Sequence, residues 1–158
     1  MNPSRKIQIG VIGGRQVSDV HLKQAETIGK LLAEKGAVVI CGGLGGVMEA
    51  ACRGAKSAKG TTVGILPTGG AADANPFVDI VIPTDLGVAR NALVVNASQG
   101  VIAVGGSYGT LSEMAFALQR GIPVVSIGSW EVDASVFQAS GPEDAVFYIF
   151  NQINKQSK

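Results

Sequence analysis

Short apolar runs alternate along this chain with longer stretches of helical periodicity. Lys6–Ile12 reads as a first strand, closed by Gly13-Gly14. Ser18–Lys35 reads as a helix, with Ser18 or Asp19 as its cap, Gly36 as its stop and Val20, Ala25, Ile28, Leu31 and Leu32 as its buried stripe. The pattern then repeats: a strand at Ala37–Cys41, a helix at Val47–Ala58, a strand at Thr61–Leu66. After a Gly/Ala/Asp/Asn/Pro loop at Pro67–Pro76 come a short strand, Ile80–Ile82, and a helix, Asp85–Ser98. Strand Val101–Val104, helix Leu111–Arg120, strand Pro123–Ile127 and a last helix near Pro142–Asn154 complete the series. Proline in its first turn, followed by Glu143 and Asp144, suits the positive end of that last helix.

Strands that are apolar throughout, each followed by a helix, predict an α/β fold with a mainly parallel sheet covered on both faces. Right-handed crossovers make it a doubly wound, Rossmann-like sheet. No repeat or linker divides residues 1–158, so one domain is expected. In such sheets ligands sit at the carboxyl ends of the strands. Three glycine clusters fall there: Gly13-Gly14, Gly42-Gly43-Leu44-Gly45-Gly46, and Gly105-Gly106-Ser107-Tyr108-Gly109-Thr110. The last lies between a strand and a helix start. Unpaired N–H groups and the positive end of the helix dipole meet at such a turn, and glycine lets an anion come close to the backbone. The expected phosphate cradle comprises Gly13, Gly14, Gly43, Gly45, Gly46, Gly105, Gly106, Ser107, Tyr108, Gly109 and Thr110.

Composition narrows the classes. Of 158 residues, 46% are hydrophobic and only 16% charged, which favours a packed fold that hides surface in an oligomer. The helix at Leu111–Arg120 is apolar on nearly every side and Leu93, Val94 and Val95 add to it, so a homodimer or homotetramer is expected. The net charge of +1 gives no field for nucleic acid or an anionic membrane. No apolar run approaches the ~20 residues of a membrane span. Met1–Lys6 leads straight into a strand-like run and does not resemble a signal peptide, so a cytoplasmic location is expected. Cys41 and Cys52 lack metal-type spacing and read as buried or semi-buried thiols in a reducing compartment. No metal site and no required cofactor are expected.

Several familiar motifs fail. Gly105-x-Ser107-x-Gly109 matches a hydrolase nucleophile elbow, but the base should be a histidine later in the chain, and the only one, His21, lies upstream. His21 reads as a surface helix residue. The Gly-Lys-Ser/Thr of a P-loop is absent, and Gly10-Val11-Ile12-Gly13-Gly14-Arg15 lacks the dinucleotide fingerprint. Trp130, in the tail Ser129–Gly141, is as suited to packing as to stacking on a ligand.

Two residues remain for chemistry. Arg90 sits among apolar neighbours, and its fork suits a phosphate or carboxylate. Glu113 has two readings. Thr110-Leu111-Ser112-Glu113 fits a capping box, in which the glutamate bonds the cap's own N–H. It also fits a carboxylate free for chemistry beside the glycine turn. A carboxylate ~5 Å from a phosphate charge costs roughly 3 kcal/mol at an effective dielectric of ~20. A charged Glu113 therefore cannot touch the phosphate unless Arg90 offsets it.

Three segments, Gly42–Met48, Arg90-Asn91 and Gly105–Glu113, resemble the LOG-type phosphoribohydrolases once labelled lysine decarboxylases. The likeness extends from the first strand to the sixth. It is greater to the short branch that includes molybdenum cofactor carrier proteins. In the hydrolases the last motif reads P-G-G-x-G-T-x-x-E and the arginine belongs to an Arg-Lys pair. The resemblance implies a catalytic arginine at Arg90 and a catalytic glutamate at Glu113, cleaving the N-glycosidic bond of a nucleoside 5′-monophosphate to free base and ribose 5-phosphate. It implies no lysine decarboxylase. Val104 replaces the motif's proline, Asn91 the lysine, and Glu49 a glycine; Val104 and Asn91 look like the carrier branch. The first expectation is therefore a small-molecule binding protein or carrier, holding a phosphate-bearing nucleotide or pterin, with the molybdenum cofactor as a candidate cargo. The phosphoribohydrolase is the alternative, and a structural protein without a ligand is the third.

Overall fold

The computed structural model describes residues 5–157. The leader reading of Met1–Lys6 therefore lies largely outside the described residues. The strands are β1 (Gln8–Gly13), β2 (Val38–Cys41), β3 (Thr61–Leu66), β4 (Ile80–Pro83), β5 (Gly100–Val104), β6 (Val124–Ile127) and β7 (Phe137–Gln138). The helices are α1 (Asp19–Glu34), α2 (Val47–Ser57), α3 (Asn91–Asn96), α4 (Tyr108–Gln119) and α5 (Pro142–Gln156). All seven strands join one sheet in the order β4-β3-β2-β1-β5-β6-β7, and every pair is parallel.

Period-two alternation sends side chains of each strand to opposite faces. Ile9 and Val11 of β1, with Val39, Ile102, Val104 and Val125, meet α1, α2 and α5. Ile12, with Val38, Ile40, Val101 and Ala103, meets α3 and α4. Burial on both faces explains why these strands read as unbroken apolar runs. On the first face α1 and α2 cross closely. A Cβ on Gly29 would lie 1.9 Å from the Ala51 carbonyl oxygen, and one on Gly54 1.8 Å from that of Glu26. Only glycine permits that approach.

Several details correct the sequence expectations. Val20 is not in the buried stripe of α1: it lies in the first turn and is 63% exposed. The helix expected from Asp85 begins at Asn91, preceded by a 3₁₀ turn over Gly87–Arg90. Asp85 and Gly87 take left-handed φ values of 56° and 55°. The N–H groups of Thr84, Asp85 and Gly87 donate to carbonyls of Leu66, Thr68 and Pro67, so the loop after β3 consumes the donors a helix start would use. The strand β7 was not anticipated. Its two residues pair with Val125 and Ser126 of β6 and are too short to show a period.

Candidate functional site

β1 lies between β2 and β5, and the chain leaves it in opposite directions to reach the two halves of the sheet. Such a switch point opens a crevice at the carboxyl ends of the strands. A cleft of about 210 Å³ lies there, lined among others by Gly13, Gly14, Arg15, Gly42, Leu44, Met48, Arg90, Asn91, Ser107, Gly109, Thr110 and Glu113. An open groove of about 780 Å³ adjoins it through Gly14, Arg15 and Ser107, and adds Gly45 and Gly106.

Helix α4 starts earlier than its periodicity suggests, at Tyr108 with Ser107 as N-cap. The first intrahelical bond runs from Leu111 N–H to the Ser107 carbonyl (3.0 Å). The N–H groups ahead of it, on Tyr108, Gly109 and Thr110, have no helical acceptor and lie at the positive end of the dipole. This start also corrects the capping box. Thr110 is three residues inside the helix, not its cap, and Glu113 is another turn in. The Ser107 side chain makes no cap bond. Gly106 has φ 101°, and a Cβ there would lie 2.2 Å from Thr110 Oγ1. The turn and the helix start thus pack on each other with no room for a side chain.

Arg90 is 8% exposed. One Nη donates to Asn91 Oδ1 and the other to the Gly42 carbonyl (3.3 Å), while Nε is buried with no partner. Asn91 Nδ2 in turn donates to Ser112 Oγ (3.1 Å), and Ser112 Oγ to the Gly109 carbonyl (2.7 Å). A chain of hydrogen bonds therefore ties the guanidinium to the first turn of α4. Burial lowers the Arg90 pKa, opposed by Glu113 and Cys41. The guanidinium still stays charged at neutral pH.

Glu113 is 6% exposed and no hydrogen bond to its carboxyl is formed among the described residues. Burial raises its pKa to about 8 against the pull of Arg90. At pH 7 the side chain is therefore mainly a neutral acid. The charge conflict between Glu113 and a nearby phosphate largely disappears in that state.

The predicted cradle residues divide. Gly13, Gly14, Gly45, Gly106, Ser107, Gly109 and Thr110 line the cleft or groove, together with Arg90 and Glu113. Gly43, Gly46, Gly105 and Tyr108 do not line them; they shape the loops. Gly43 packs on Leu66, and Gly46 against the backbone of Gly14 and Arg15. Gly105 packs on the imidazole of His21, which is half-buried between it and Gly128 instead of lying free on the surface. The Tyr108 ring stands out from the fold and stacks on Trp130 at 5.9 Å, while the indole N–H donates to the Ser107 carbonyl (3.0 Å).

Two contributors escaped the sequence. Arg15 reads there only as a missing fingerprint, yet it lines both compartments and forms no ion pair among the described residues. Asn75, in the long loop after β3, is buried and donates through Nδ2 to the Leu44 carbonyl (2.9 Å), pinning the second glycine loop. Among the described residues no group of three or more His, Cys, Asp or Glu is placed to hold a metal ion.

Comparison with known proteins places this arrangement among relatives. An uncharacterized protein of Archaeoglobus fulgidus is 47% identical over 142 residues, 90% of this chain and 93% of that one. The solved molybdenum cofactor binding protein of Rippkaea orientalis is 41% identical, with a TM-score of 0.90 over 95% of this chain and 99% of the other. The Moco carrier protein of Chlamydomonas reinhardtii is 34% identical, with a TM-score of 0.85 over 96% and 99%. The SLOG cluster4 family model matches residues 6–156, nearly the whole described fold, and the chain belongs to that family.

Proposed function

We propose that this protein is a carrier that binds the molybdenum cofactor, or a closely similar pterin bearing a phosphate, in the cleft between β1 and β5. The observation that carries this reading is the buried, partly unpartnered guanidinium of Arg90 facing the open N–H groups of α4 across one cleft. A buried donor without an acceptor costs about 1–3 kcal/mol, which an oxygen-rich ligand recovers. Ser107, Gly109 and Thr110 would hold the phosphate by their backbone N–H groups, with Gly106 allowing its close approach. Arg15, at the junction of cleft and groove, supplies a second cation. Arg90, Asn91 and the neutral acid of Glu113 are left to meet polar edges deeper in the cleft. The likeness to the Rippkaea orientalis and Chlamydomonas reinhardtii proteins supports the choice of ligand.

The test is purification under anaerobic conditions from a host that makes the cofactor. The bound pterin is then oxidised to its fluorescent form and counted per chain. A carrier yields a pterin content near one per site, lost in Arg90→Met. A pterin-free protein that also shows no calorimetric binding of pterin phosphates or nucleoside monophosphates overturns the reading.

The convergence of Arg90 and Glu113 on one cleft favours a second reading, a phosphoribohydrolase. An anionic glutamate is needed to stabilise positive charge on the sugar. With the Glu113 pKa near 8, hydrolysis of AMP should rise as pH passes through that value and vanish in Glu113→Ala. Chromatography showing no free base across that range excludes it.

A further inference from the structure

Cys41 closes β2 and Cys52 lies on α2, and both side chains are fully buried. Their Sγ atoms are 3.5 Å apart, in direct contact, and both are free thiols. A disulfide needs about 2.05 Å between sulfurs, so closure asks for a shift of under two ångströms between side chains that already face each other. The pair sits directly behind the candidate site. Gly43 N–H donates to Cys41 Sγ (3.3 Å), and the neighbouring Gly42 carbonyl accepts from Arg90 (3.3 Å). Met48 packs with both cysteines and lines the cleft.

The two sulfurs are unequal. The hydrogen-bonding contact with Cys52, the Gly43 N–H and the positive Arg90 hold Cys41 below the usual thiol value, against burial and Glu113. The contact with Cys41 and burial push Cys52 upward. The thiolate is the nucleophile in oxidation, so when local opening admits peroxide to this buried pair Cys41 is the sulfur that reacts first.

We propose that Cys41 and Cys52 form a reversible intramolecular disulfide when the protein meets a hydroperoxide, and that its closure loosens the Gly42–Gly46 wall of the cleft. Cys41 thiolate attacks one peroxide oxygen. The O–O bond breaks, Cys41 becomes a sulfenic acid, and the other oxygen takes a proton and leaves as water when the oxidant is hydrogen peroxide, or as the alcohol of an organic hydroperoxide. Cys52 then attacks the Cys41 sulfur. The S–O bond breaks, and the hydroxyl leaves as water with the Cys52 proton. Two thiols are oxidised and one peroxide is reduced. An external dithiol reverses the step by exchange. Once Cys41 is bonded to Cys52 its sulfur is a weaker acceptor for Gly43 N–H, and the strand end carrying the Gly42 carbonyl follows the moved sulfur. This inference does not depend on the identity of the ligand.

The test treats the reduced full chain with hydrogen peroxide, then alkylates it in denaturant. Disulfide formation lowers the intact mass by two hydrogens, blocks alkylation of both cysteines, links their two peptides, and is undone by dithiothreitol. Hydrogen exchange of residues 42–46 should rise by about tenfold or more on oxidation and return on reduction. In Cys52→Ser, peroxide should yield a dimedone-reactive Cys41; in Cys41→Ser, Cys52 should react about tenfold more slowly or less. Two fully alkylatable thiols after peroxide, or cysteines that advance only to sulfinic acid, overturn the disulfide. A disulfide that leaves exchange at 42–46 unchanged overturns its link to the cleft. These wild-type measurements stand even if a serine variant fails to fold.

Discussion

Arg90 and Glu113 line one cleft, yet no nitrogen of Arg90 lies within 4.0 Å of a Glu113 oxygen. Arg90 instead spends its donors on Asn91 and Gly42. The acid is therefore desolvated without the close ion pair that would hold it ionised, and the space between the two groups belongs to a ligand in the proposed function. A buried guanidinium and a mainly neutral acid that share a site without contact add little to stability and leave both groups free to meet a ligand.

Stability should carry the signature of Glu113. Its pKa rises from 4.5 in the reference state to about 8 in the fold, because burial outweighs Arg90. The folded chain thus keeps a proton that the unfolded chain releases above 4.5. The contribution is fully present below that value and is lost as pH rises through about 8, with a slope of up to about 1.4 kcal/mol per pH unit. Glu113→Gln removes the titration. Urea unfolding at pH 5, 7 and 9 should show the variant gaining on the wild type at each step. Parallel pH profiles would contradict the assignment.

Replacing Arg90 should separate binding from stability. Arg90→Met keeps the stem volume and removes a guanidinium whose Nε is buried and unpartnered. At pH 7 Glu113 is mostly neutral and loses little from the missing charge. Unfolding stability at that pH should fall by no more than about 1–3 kcal/mol, from the Asn91 and Gly42 acceptors losing their donor, while affinity for a pterin phosphate falls about tenfold to a hundredfold, the worth of one charged hydrogen-bonding group. Calorimetry and urea melts on the same preparation check both halves.

Arg15 should act through charge alone. It is exposed and has no acidic partner among the described residues. Arg15→Ala should leave stability within about 0.5 kcal/mol. It should weaken binding of a phosphate-bearing ligand and flatten the dependence of affinity on salt. An unchanged salt dependence would remove Arg15 from the site.

The sequence displays what periodicity and glycine clustering can encode. Six of seven strands, the parallel sheet and the placement of the glycine turns at its carboxyl edge all follow from runs such as Val101–Val104 ahead of Gly105-Gly106. Arg90 was legible as a candidate because it is a charge among apolar neighbours, and Glu113 because it is the one acid in the stretch that follows the glycine turn. The capping box over Thr110–Glu113 misled, because local sequence cannot tell where a glycine turn hands over to a helix; tertiary packing of Gly106 on Thr110 starts α4 at Tyr108. Asp85 failed as a helix start for a similar reason, since its N–H is taken by a loop carbonyl seventeen residues upstream. Arg15 and Asn75 had no signal at all. Their roles arise from where the sheet edge and the long loop end in space.

Gly106 gives a sharp test of the turn itself. It holds φ 101°, and any Cβ would collide with Thr110. Gly36 has a comparable φ of 76° but open space around it. Gly36→Ala should cost about 1–2 kcal/mol from conformation alone and leave binding intact. Gly106→Ala adds a clash and should cost more, and it should also abolish ligand binding by displacing the first turn of α4.

Association is the last expectation. Val88 is 84% exposed, Leu86 53%, Phe116 43% and Leu93 37%, on the 3₁₀ turn before α3, on α3 itself and on α4. α4 buries Met114 and Ala117 against the sheet and turns Ala115 and Phe116 outward, so one chain does not consume all its apolar surface. Apolar groups of this size on neighbouring elements mark contact surfaces. A homodimer or homotetramer should appear by light scattering at micromolar concentration, and Phe116→Glu should shift the mass toward the monomer. Because Val88 also lines the cleft, the same variant should weaken ligand binding if the interface completes the site. A wild type that is monomeric at that concentration would show these side chains to be free surface.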